Sequence, residues 1–319
     1  MISKRNCFPL FMMLLLLLAL TGLPGCPPQA EKPAPVKPAP EVRKYQQEPS
    51  ISLYRSASGS KTNLKLEEYL KGVVAAEIGD EFPLEALKAQ AIVARTMTLA
   101  LMEYENGTRG KHGTDASDDH TEFQAYDPQR ITPRIAQAVD ATRGQVLTYN
   151  GKFAYALFHS ASRDKTASIE EGFPRLKDKA SYLVPVKTNG LKYAPAKYRK
   201  WTVRVPRSEI KGIMGTKAGS LSDIRVSQRG PSGRATVVSA GNASIAAVDL
   251  RQQVGFDRLY STAFDVKANG NYVTFTGGGW GHGVGMEQWG AYGMAKEGKS
   301  ARQIVDHYFP RMQWTQLYK

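Results

Sequence analysis

The segment from Pro83 to Glu105 constrains the fold most strongly, because it reads PLEALKAQAIVARTMTLALMEYE and is apolar on nearly every side. A helix that is apolar all around has to be surrounded by other elements, so we expect it at the centre of the domain. The same helix carries Lys88, Gln90 and Arg95, and the two cations are seven residues apart, on about the same face. A charge in the interior needs a partner, so an acidic side chain is expected beside this helix.

A second helical pattern precedes it, in the stretch LKLEEYLKGVVAAEIG that ends at Gly79. Its apolar residues recur at i, i+3, i+4, i+7 and i+8: Leu66, Tyr69, Leu70, Val73 and Val74. The next position of this stripe is Glu77, and Gly79 then ends the helix. A carboxylate on the core-facing side is expected either to pair with Arg95 or Lys88, or to act as a catalytic acid.

The rest of the chain combines short helices with strands. Residues 106–134 contain Gly, Asp and His and predict a loop. A hairpin is predicted from Gln145–Thr148 and Ala154–His159 around the turn Tyr149–Gly151. Further strands are predicted at Trp201–Val205, Ile224–Ser227, Thr236–Ser239 and Tyr272–Thr276, and further helices at Ile135–Thr142 and Ala301–Phe309. Helices first and mostly antiparallel strands later predict an α+β fold.

Residues 1–25 predict a signal peptide. Lys4 and Arg5 form a short basic region, and the apolar stretch from Phe8 to Leu20 would span only about 20 Å as a helix, less than the roughly 30 Å hydrocarbon core. The stretch LPGC, which ends at Cys26, resembles the lipobox of bacterial lipoproteins, in which the cysteine is lipidated and becomes the new N-terminus. Ordinary cleavage nearby is the alternative. We therefore expect an exported lipoprotein, anchored to a membrane through Cys26 and facing the cell wall or periplasm.

Residues 26–50 predict a Pro-rich tether, because the run KPAPVKPAPEV contains few large apolar residues. The domain is then expected over residues 51–319, which contain no cysteine and so neither a disulfide nor a thiolate zinc site. Lys and Arg outnumber Asp and Glu by 43 to 29, a formal charge of +14. Such an excess favours an anionic partner, and nucleic acid, anionic lipid and a carboxylate-bearing polysaccharide all fit it.

Three blocks of sequence resemble the stage II sporulation protein D family, whose members share the SpoIID/LytB domain. The blocks are Glu67–Leu99, Phe158–Ser162 with Thr166, and Trp280–Pro310, and the resemblance extends over about residues 50–319. It implies a lytic transglycosylase that cleaves peptidoglycan strands lacking stem peptides, with Glu77 of the Val-Ala-Ala-Glu run as the catalytic acid. We expect a core of about residues 51–165 and 250–319 and a β-rich lobe of about residues 166–250.

A single carboxylate suffices for this reaction. Glycoside hydrolases flank the bond with two carboxylates, one to protonate the leaving oxygen and one to attack or to activate water. In lytic transglycosylation the C6 hydroxyl of the muramic residue attacks its own anomeric carbon, so one Glu acts first as acid and then as base. Burial is expected to raise the pKa of Glu77 from about 4.3 toward 6.

Further residues are expected to bind the glycan. His282 and Gln288 lie in the glycine-rich run GGGWGHGVGMEQWGAYG and can hydrogen-bond sugar hydroxyls, while Trp280 or Trp289 can lie against a pyranose ring. The alternative for this run is a tight glycine turn packed against the Glu77 helix. The other predicted substrate-binding residues are Lys88, Gln90, Arg95, His159, Ser160 and Ser162. No Gly-x-Ser-x-Gly elbow surrounds Ser160, so a serine nucleophile is disfavoured.

One stretch departs from the family pattern at a site that binds zinc in some members. Those members carry Cys and His around a Cys-Gln-x-Tyr element, whereas here Asp115–Asp127 keeps the Gln and Tyr without a cysteine. His112, His120 and Glu122 are residue types that bind zinc, but a solvated polar loop is favoured. We therefore expect no metal and no cofactor.

A second departure follows the Phe158–Ser162 block. The double glycine that is usual there is Arg163-Asp164 in this chain. Bulkier, charged residues at this place are expected to narrow or re-aim the groove.

The basic composition suits the implied substrate. Removing the stem peptides leaves a free lactyl carboxylate on each muramic residue, so the expected partner, a peptidoglycan glycan strand, is a polyanion. Export alone disfavours nucleic acid. Two alternatives stay open: a non-catalytic, glycan-binding enhancer of a cell-wall amidase, with that amidase as partner, and a structural lipoprotein that ties the membrane to the wall.

Overall fold

The computed structural model describes residues 36–319, so the predictions for the signal peptide and for Cys26 lie outside the described residues. The helices are α1 (Pro40–Arg43), α2 (Leu66–Glu77), α3 (Leu84–Tyr104), α4 (Arg109–His112), α5 (Pro133–Asp140), α6 (Ile169–Gly172), α7 (Ala196–Arg199), α8 (Arg207–Met214), α9 (Ala247–Val254), α10 (Gln288–Lys296) and α11 (Ala301–Tyr308). Within residues 36–319, no helix combines the length and the apolar character needed to cross a membrane.

The strands are β1 (Ser50–Arg55), β2 (Ser60–Lys65), β3 (Ala116–Ser117), β4 (Gln145–Tyr149), β5 (Lys152–Phe153), β6 (Phe158–His159), β7 (Trp201–Pro206), β8 (Arg225–Arg229), β9 (Ala235–Ala240), β10 (Ala243–Ala246), β11 (Phe264–Asn269), β12 (Tyr272–Gly277), β13 (Met286–Glu287) and β14 (Gln313–Gln316). They form small sheets in the orders β2-β1-β3, β14-β4-β5, β11-β12-β7 and β10-β9-β8, and β13 pairs with β6 in parallel. Helices combined with mostly antiparallel sheets confirm the predicted α+β class.

Helix α3 is the central helix that the sequence predicts. Most of its side chains are buried, and it packs against α2, α5, α10, α11 and strand β4. Each large apolar side chain that is fully buried in this way contributes about 1.5–3 kcal/mol. Because other elements cover α3 on several sides, a polar side chain on it has to be satisfied by groups from those elements.

Arg95 on α3 is paired with Glu67, so the expectation that it pairs with Glu77 is wrong. Nε of Arg95 donates to Oε1 of Glu67 over 2.9 Å, and Nη2 donates to Oε2 over 2.6 Å. Both acids lie on the buried side of α2, but they are ten positions apart, which is about 15 Å along the helix axis. The periodicity alone does not decide which of them faces Arg95. Because Arg95 has 0% exposure, its predicted role in substrate binding is also wrong.

Two clusters of buried apolar side chains form the interior of the described chain. The first surrounds α3 and includes side chains from Ala167 to Leu183. The second runs from Trp201 to Phe275 and is built from β7–β12 with α8 and α9. The second cluster therefore extends past the predicted end of the β-rich lobe near residue 250. The stretch from Ala167 to Leu183 reaches the first cluster from short turns, which leave no periodic pattern in the sequence.

The predicted tether also ends earlier than Ser50. Helix α1 follows Ala39, whose N–H donates to the Gly151 carbonyl over 2.8 Å. Val42 and Tyr45 are buried, and the Tyr45 ring meets the edge of the Phe153 ring at a centroid distance of 5.7 Å. Two apolar residues three positions apart thus attach this segment to the domain, although its overall composition is rich in proline and charge.

Candidate active site

Glu77 is the last residue of α2 and is partly exposed. The helix ends there because the N–H groups of Ile78 and Gly79 both turn back to the Val74 carbonyl, and Gly79 takes a positive φ of 70°. The first block of the family resemblance thus presents its carboxylate at a helix end, at the edge of the core. This position differs from the fully core-facing one that the periodicity predicts.

The carboxylate of Glu77 has two uncharged hydrogen-bond partners. The backbone N–H of Ala125 donates to Oε1 over 3.1 Å, and the side-chain amide of Gln288 donates to Oε2 over 3.4 Å. Lys88 pairs instead with Glu85, at 2.7 Å. With Arg95 held by Glu67 as well, the ion-pair alternative for Glu77 is wrong.

The pKa of Glu77 is raised above the usual value of a glutamic acid, chiefly because burial disfavours the charged form. The hydrogen bonds from Ala125 and Gln288 and the charge of His120 act in the opposite direction. A helix C-terminus carries negative partial charge, so its position also disfavours ionisation of Glu77. Glu77 therefore keeps its proton to a higher pH than a free carboxyl group while remaining accessible.

The end of the predicted Asp115–Asp127 loop positions the Ala125 donor. Gln124 is buried, and its amide donates to the Thr98 hydroxyl of α3 over 2.8 Å. The N–H of Asp127 donates to the Gly72 carbonyl of α2 over 3.1 Å. Because both neighbours of the Ala125–Tyr126 pair are tied to helices, the Ala125 N–H is fixed toward Glu77.

Two tyrosines lie beside this helix end. The rings of Tyr69 and Tyr126 stack at a centroid distance of 5.5 Å with 9° between their planes. Tyr126 approaches α2 at Gly72, where an added Cβ would lie 2.3 Å from the Tyr126 ring. Burial, together with the charge of Glu77, raises the pKa of the Tyr69 hydroxyl, which has no hydrogen-bond partner among the described residues. The Arg55 guanidinium lies over the Tyr126 ring, 5.1 Å from its centroid.

The glycine-rich run packs against the Phe158–Ser162 block. Ala161 and Trp280 exchange backbone hydrogen bonds, and β13 pairs with β6 in the register Glu287 to His159. Alternate glycines have positive φ in this run, and at Gly285 an added Cβ would lie only 1.9 Å from a carbonyl oxygen of the neighbouring segment. The run is thus a tight glycine segment, but it packs on the second block more closely than on the Glu77 helix. Gln288, within this run, contacts Glu77.

His159 and Ser162 are buried and form an internal hydrogen-bond chain, so their predicted contact with substrate is wrong. The Nδ1 atom of His159 lies 3.2 Å from the Val284 carbonyl and therefore carries the proton, which leaves Nε2 to accept from the Ser162 hydroxyl at 2.6 Å. Ser162 Oγ in turn accepts from Nη2 of Arg234 over 2.8 Å. Burial lowers the pKa of His159 well below the usual range, so the ring stays neutral.

Glu287 is a buried acid that the sequence interpretation missed. Its Oε1 accepts from the Ser162 N–H over 2.7 Å, and its Oε2 accepts from the Thr188 hydroxyl. Burial is the main cause that raises the pKa of Glu287 to about 7. It precedes Gln288 in the chain, but its 0% exposure excludes it from contact with a substrate.

The remaining predicted binding residues lie in different settings. Gln90 is fully buried in α3, which contradicts its predicted role; its amide has no hydrogen-bond partner among the described residues. Lys88 lies at the surface beside Glu85. Ser160 is partly exposed, and its carbonyl accepts from the Trp289 N–H over 3.1 Å. His282 is partly exposed, packs on Phe173 at 4.7 Å, and has a pKa lowered to about 3, chiefly by burial.

The tryptophans of the third block occupy two places. Trp289, next to Gln288, packs with Phe82 at 5.0 Å and with Tyr292 at 5.3 Å. Trp280 stacks on Tyr260 at 4.8 Å. Of the two, Trp289 is the one that follows directly on a hydrogen-bond partner of Glu77.

The residues considered for zinc are not gathered around one point. His112 bonds with Glu122 over 2.7 Å and stacks on Tyr54 at 3.9 Å, while His120 is exposed. Across residues 36–319, no group of three His, Cys, Asp or Glu side chains is arranged to hold one metal ion.

Two family models match the chain. The model described as stage II sporulation protein matches residues 54–149, which include Glu77, and the model described as a domain of unknown function (DUF8618) matches residues 166–285. The chain is 35% identical to the "Stage II sporulation protein D" of Bacillus amyloliquefaciens over 273 residues, which are 82% of this chain and 77% of that protein. The same figures hold for the protein of that name in Bacillus subtilis strain 168.

A more distant relative has a different name. The chain is 26% identical to the "Amidase enhancer" of Bacillus subtilis strain 168 over 291 residues, which are 76% of this chain and 39% of that protein. The matches at 35% identity cover more than three quarters of both partners. The chain belongs to the stage II sporulation protein D family.

Proposed function

We propose that this protein cleaves peptidoglycan glycan strands by lytic transglycosylation, acting on strands that lack stem peptides. The observation that carries the proposal is the Glu77 carboxyl group, which is accessible, has a raised pKa and has only uncharged hydrogen-bond partners, Ala125 and Gln288. A general acid has to reach the substrate and hold its proton, and accessibility and a raised pKa favour both. Membership of the stage II sporulation protein D family supports a role at the cell wall.

In the proposed reaction, protonated Glu77 gives its proton to the glycosidic oxygen as the bond from the muramic C1 to that oxygen breaks. The C6 hydroxyl of the same muramic residue forms the new bond to C1, and its proton passes to the Glu77 carboxylate. The products are a 1,6-anhydromuramic end and a free 4-hydroxyl on the leaving strand. The acid is regenerated and no water is consumed, so a second carboxylate is not required.

The surroundings of Glu77 fit both halves of this cycle. Burial and the helix C-terminus favour the protonated acid before cleavage. The donors from Ala125 and Gln288 stabilise the carboxylate that exists after proton transfer. Because these donors are neutral, they hold the carboxylate in place without the strong pKa depression that an Arg or Lys would cause.

The positive charge of the chain fits the proposed substrate. Strands without stem peptides carry one carboxylate per muramic residue, and Lys and Arg outnumber Asp and Glu by 43 to 29 in this chain. Coulomb attraction of this kind is screened by salt. Weaker binding at higher ionic strength is therefore expected.

The test is incubation of purified protein with glycan strands from which the stem peptides have been removed, followed by mass spectrometry. The proposal expects 1,6-anhydromuramic ends in a yield that depends on Glu77. New reducing ends would indicate hydrolysis instead, and intact strands would contradict cleavage.

A second candidate function is a glycan-binding enhancer of a cell-wall amidase. It is favoured by the similarity to a protein named amidase enhancer and by Arg163-Asp164, at a place where the resemblance to the family implies glycines. Under this alternative the protein leaves strands intact but increases the rate at which an added amidase releases stem peptides. The Glu77→Gln variant separates the two functions, because only cleavage needs the proton.

We also propose that the protein is exported and anchored by lipid at Cys26, so that its domain faces the cell wall. The basic n-region, the short apolar stretch and the LPGC sequence support this location. A wall polymer is then within its reach, and nucleic acid is not.

A further inference from the structure

Arg234 is a buried cation that lacks an ion-pair partner. Its side chain is 1% exposed, and Nη2 donates to Ser162 Oγ over 2.8 Å. Nε and Nη1 have no acceptor among residues 36–319, and none of the ion pairs within that range includes Arg234. A buried charge without a counter-ion is costly, so this guanidinium calls for an anionic acceptor.

The nearby acids do not supply that acceptor. Glu171 and Glu287 attract the Arg234 charge electrostatically but form no hydrogen bond with it. Their carboxylate oxygens accept hydrogen bonds from other groups. Glu171 Oε1 accepts from the N–H and the hydroxyl of Ser232, at 3.0 and 2.7 Å, and its Oε2 accepts from the Ser168 N–H at 2.7 Å. Glu287 is held by Ser162 and Thr188.

Arg234 lines a cavity of about 200 Å³. We call it the Arg234 pocket, and its other lining residues are Arg163, Asp164, Lys165, Ser232, Gly233 and Ala263. Arg163, Lys165 and Arg234 supply three positive charges against one carboxylate, that of Asp164. The charge of Arg163 opposes that of Arg234 and, with burial as the larger cause, helps to lower the pKa of Arg234 to about 10. An anion between the two guanidinium groups would relieve this repulsion.

The pocket is linked to the candidate active site by a short series of contacts. Ser162 gives its N–H to Glu287 and takes a hydrogen bond from Arg234. Glu287 precedes Gln288, which contacts Glu77. Ser162, Glu287 and Gln288 therefore connect the pocket to Glu77 within one structural unit.

We propose that the Arg234 pocket binds the lactyl carboxylate of a muramic residue at a distance from the bond cleaved at Glu77. This inference rests on the proposed function, because it takes the glycan strand as the ligand. Arg and Lys together suit a single carboxylate, and the cavity has room for that group with a few waters.

The test measures binding in the Glu77→Gln background, where no cleavage occurs. The two ligands are an oligosaccharide of alternating N-acetylglucosamine and N-acetylmuramic acid, and the same oligosaccharide with its lactyl carboxylates reduced to alcohols. Titration calorimetry is expected to show about tenfold or greater preference for the carboxylate form. The Arg163→Gln/Lys165→Gln variant should lose this preference and bind the reduced ligand as before.

Two controls keep the test decisive. Arg175→Gln/Lys177→Gln removes the same charges at exposed positions outside the pocket lining and should retain the preference. Arg234→Gln should lose it as well, but because Arg234 is buried, that variant counts only if its melting temperature matches the parent. If Arg234→Gln does not fold, the Arg163→Gln/Lys165→Gln variant still tests the pocket, because both of its positions are exposed.

The outcomes separate this inference from the proposed function. If the parent binds both ligands equally, or if Arg163→Gln/Lys165→Gln keeps the preference, the Arg234 pocket does not bind the carboxylate. Neither result contradicts the proposed role of Glu77. A parent that binds neither ligand overturns the proposed glycan substrate. Tighter binding of inorganic phosphate than of either glycan at this pocket overturns the assignment to a carboxylate.

Discussion

Oε2 of Glu77 and Nε2 of Gln288 lie 3.4 Å apart, although 211 positions separate the two residues along the chain. Glu77 ends α2, and Gln288, within the glycine-rich run, begins α10. The contact therefore joins the first and third blocks of the family resemblance at one carboxylate. It also gives Glu77 a neutral donor from a segment that the close packing of glycines holds in place.

Glu77→Gln is expected to lower the rate of glycan cleavage by about 10²–10⁴-fold, because the amide keeps the shape of the side chain but cannot transfer a proton. Since Glu77 forms no ion pair with Arg95 or Lys88, the melting temperature should stay close to that of the parent. Mass spectrometry of the products and a thermal melt check the two claims. As a control, Glu81→Gln makes the same chemical change at an exposed position and should leave the rate unchanged. If Glu77→Gln cleaves at the rate of the parent, Glu77 is not the catalytic acid.

Gln288→Leu is expected to move the alkaline limb of the pH–rate profile of cleavage to higher pH. The Gln288 amide stabilises the charged form of Glu77 and so lowers its pKa, and removing the amide raises that pKa further. A general acid is active while protonated, so activity falls as pH rises through the pKa, and this fall should occur at higher pH in the variant. An unchanged alkaline limb of the pH–rate profile would show that Gln288 does not act on Glu77.

The two helices around the site were predictable, and the contacts that complete the site were less so. The stripe in α2 and the all-round apolar character of α3 are local periodicities, and they place Glu77 near a helix end. The Ala125 N–H is a backbone donor, and no residue type in the sequence marks it. Its position depends on Gln124 and Asp127, whose partners are far away in the chain.

The errors concern polar residues whose burial depends on tertiary packing. His159 and Ser162 belong to a short run that looks the same whether it lines a groove or an interior chain of hydrogen bonds. Arg95 required an acid, but α2 offers two on its buried side, and only the packing of α2 on α3 selects Glu67. Glu287 stood beside Gln288 in a run dominated by glycine, which gave no sign that its carboxylate is enclosed.

The buried Glu287 should make stability depend on pH. Its pKa is raised to about 7 in the folded protein from about 4.3 in the unfolded chain, so the folded state binds the proton more tightly. The contribution of this carboxyl group to the free energy of unfolding is fully present at low pH. It is lost as the pH rises from about 4.3 through 7, and the loss is on the order of 3 kcal/mol. His282, with a lowered pKa, acts in the opposite direction, so the parent's own curve does not isolate this effect.

The comparison with Glu287→Gln isolates it. Unfolding free energies of parent and variant are measured by urea denaturation from pH 4.5 to 8. Relative to the variant, the parent should lose on the order of 3 kcal/mol of unfolding free energy as the pH rises. Asp164→Asn, which replaces a carboxyl group at an exposed position, is the control for the substitution itself. A constant difference for Glu287→Gln would mean that this carboxyl titrates normally.

Cys26→Ser is expected to release the protein from membranes or to leave it unprocessed. A diacylated cysteine adds two acyl chains that each contribute about 0.8 kcal/mol per buried methylene, which is enough for stable anchoring. The segment between Cys26 and α1, which starts at Pro40, is shorter than the predicted tether. Shortening that segment should lower glycan turnover in cells but not in a purified assay. Membrane fractionation in detergent and in carbonate is the check: parent protein that washes off in carbonate alone carries no lipid.

Arg95→Met is expected to destabilise the domain by about 3–5 kcal/mol, because it leaves the Glu67 carboxylate buried without its cation. Glu67 would keep the hydrogen bonds from the Gly144 N–H and the Tyr318 hydroxyl, at 3.2 and 2.8 Å, but not the charge that neutralises it. Lys88→Met removes the same kind of charge seven positions earlier on the same helix. Its partner Glu85 is partly exposed, so the loss there should be at most about 1 kcal/mol.

The pair should also be non-additive. When both charges are removed together, no buried ion is left without a partner, so Glu67→Gln/Arg95→Met should be less destabilised than the sum of its two single variants. Urea denaturation of the four proteins gives the coupling energy directly. An additive result would mean that Glu67 and Arg95 do not depend on each other. A melt of Arg95→Met that matches the parent would contradict the burial of Arg95 in the centre of α3, and with it the packing that orders α2 and brings Glu77 to its surface position.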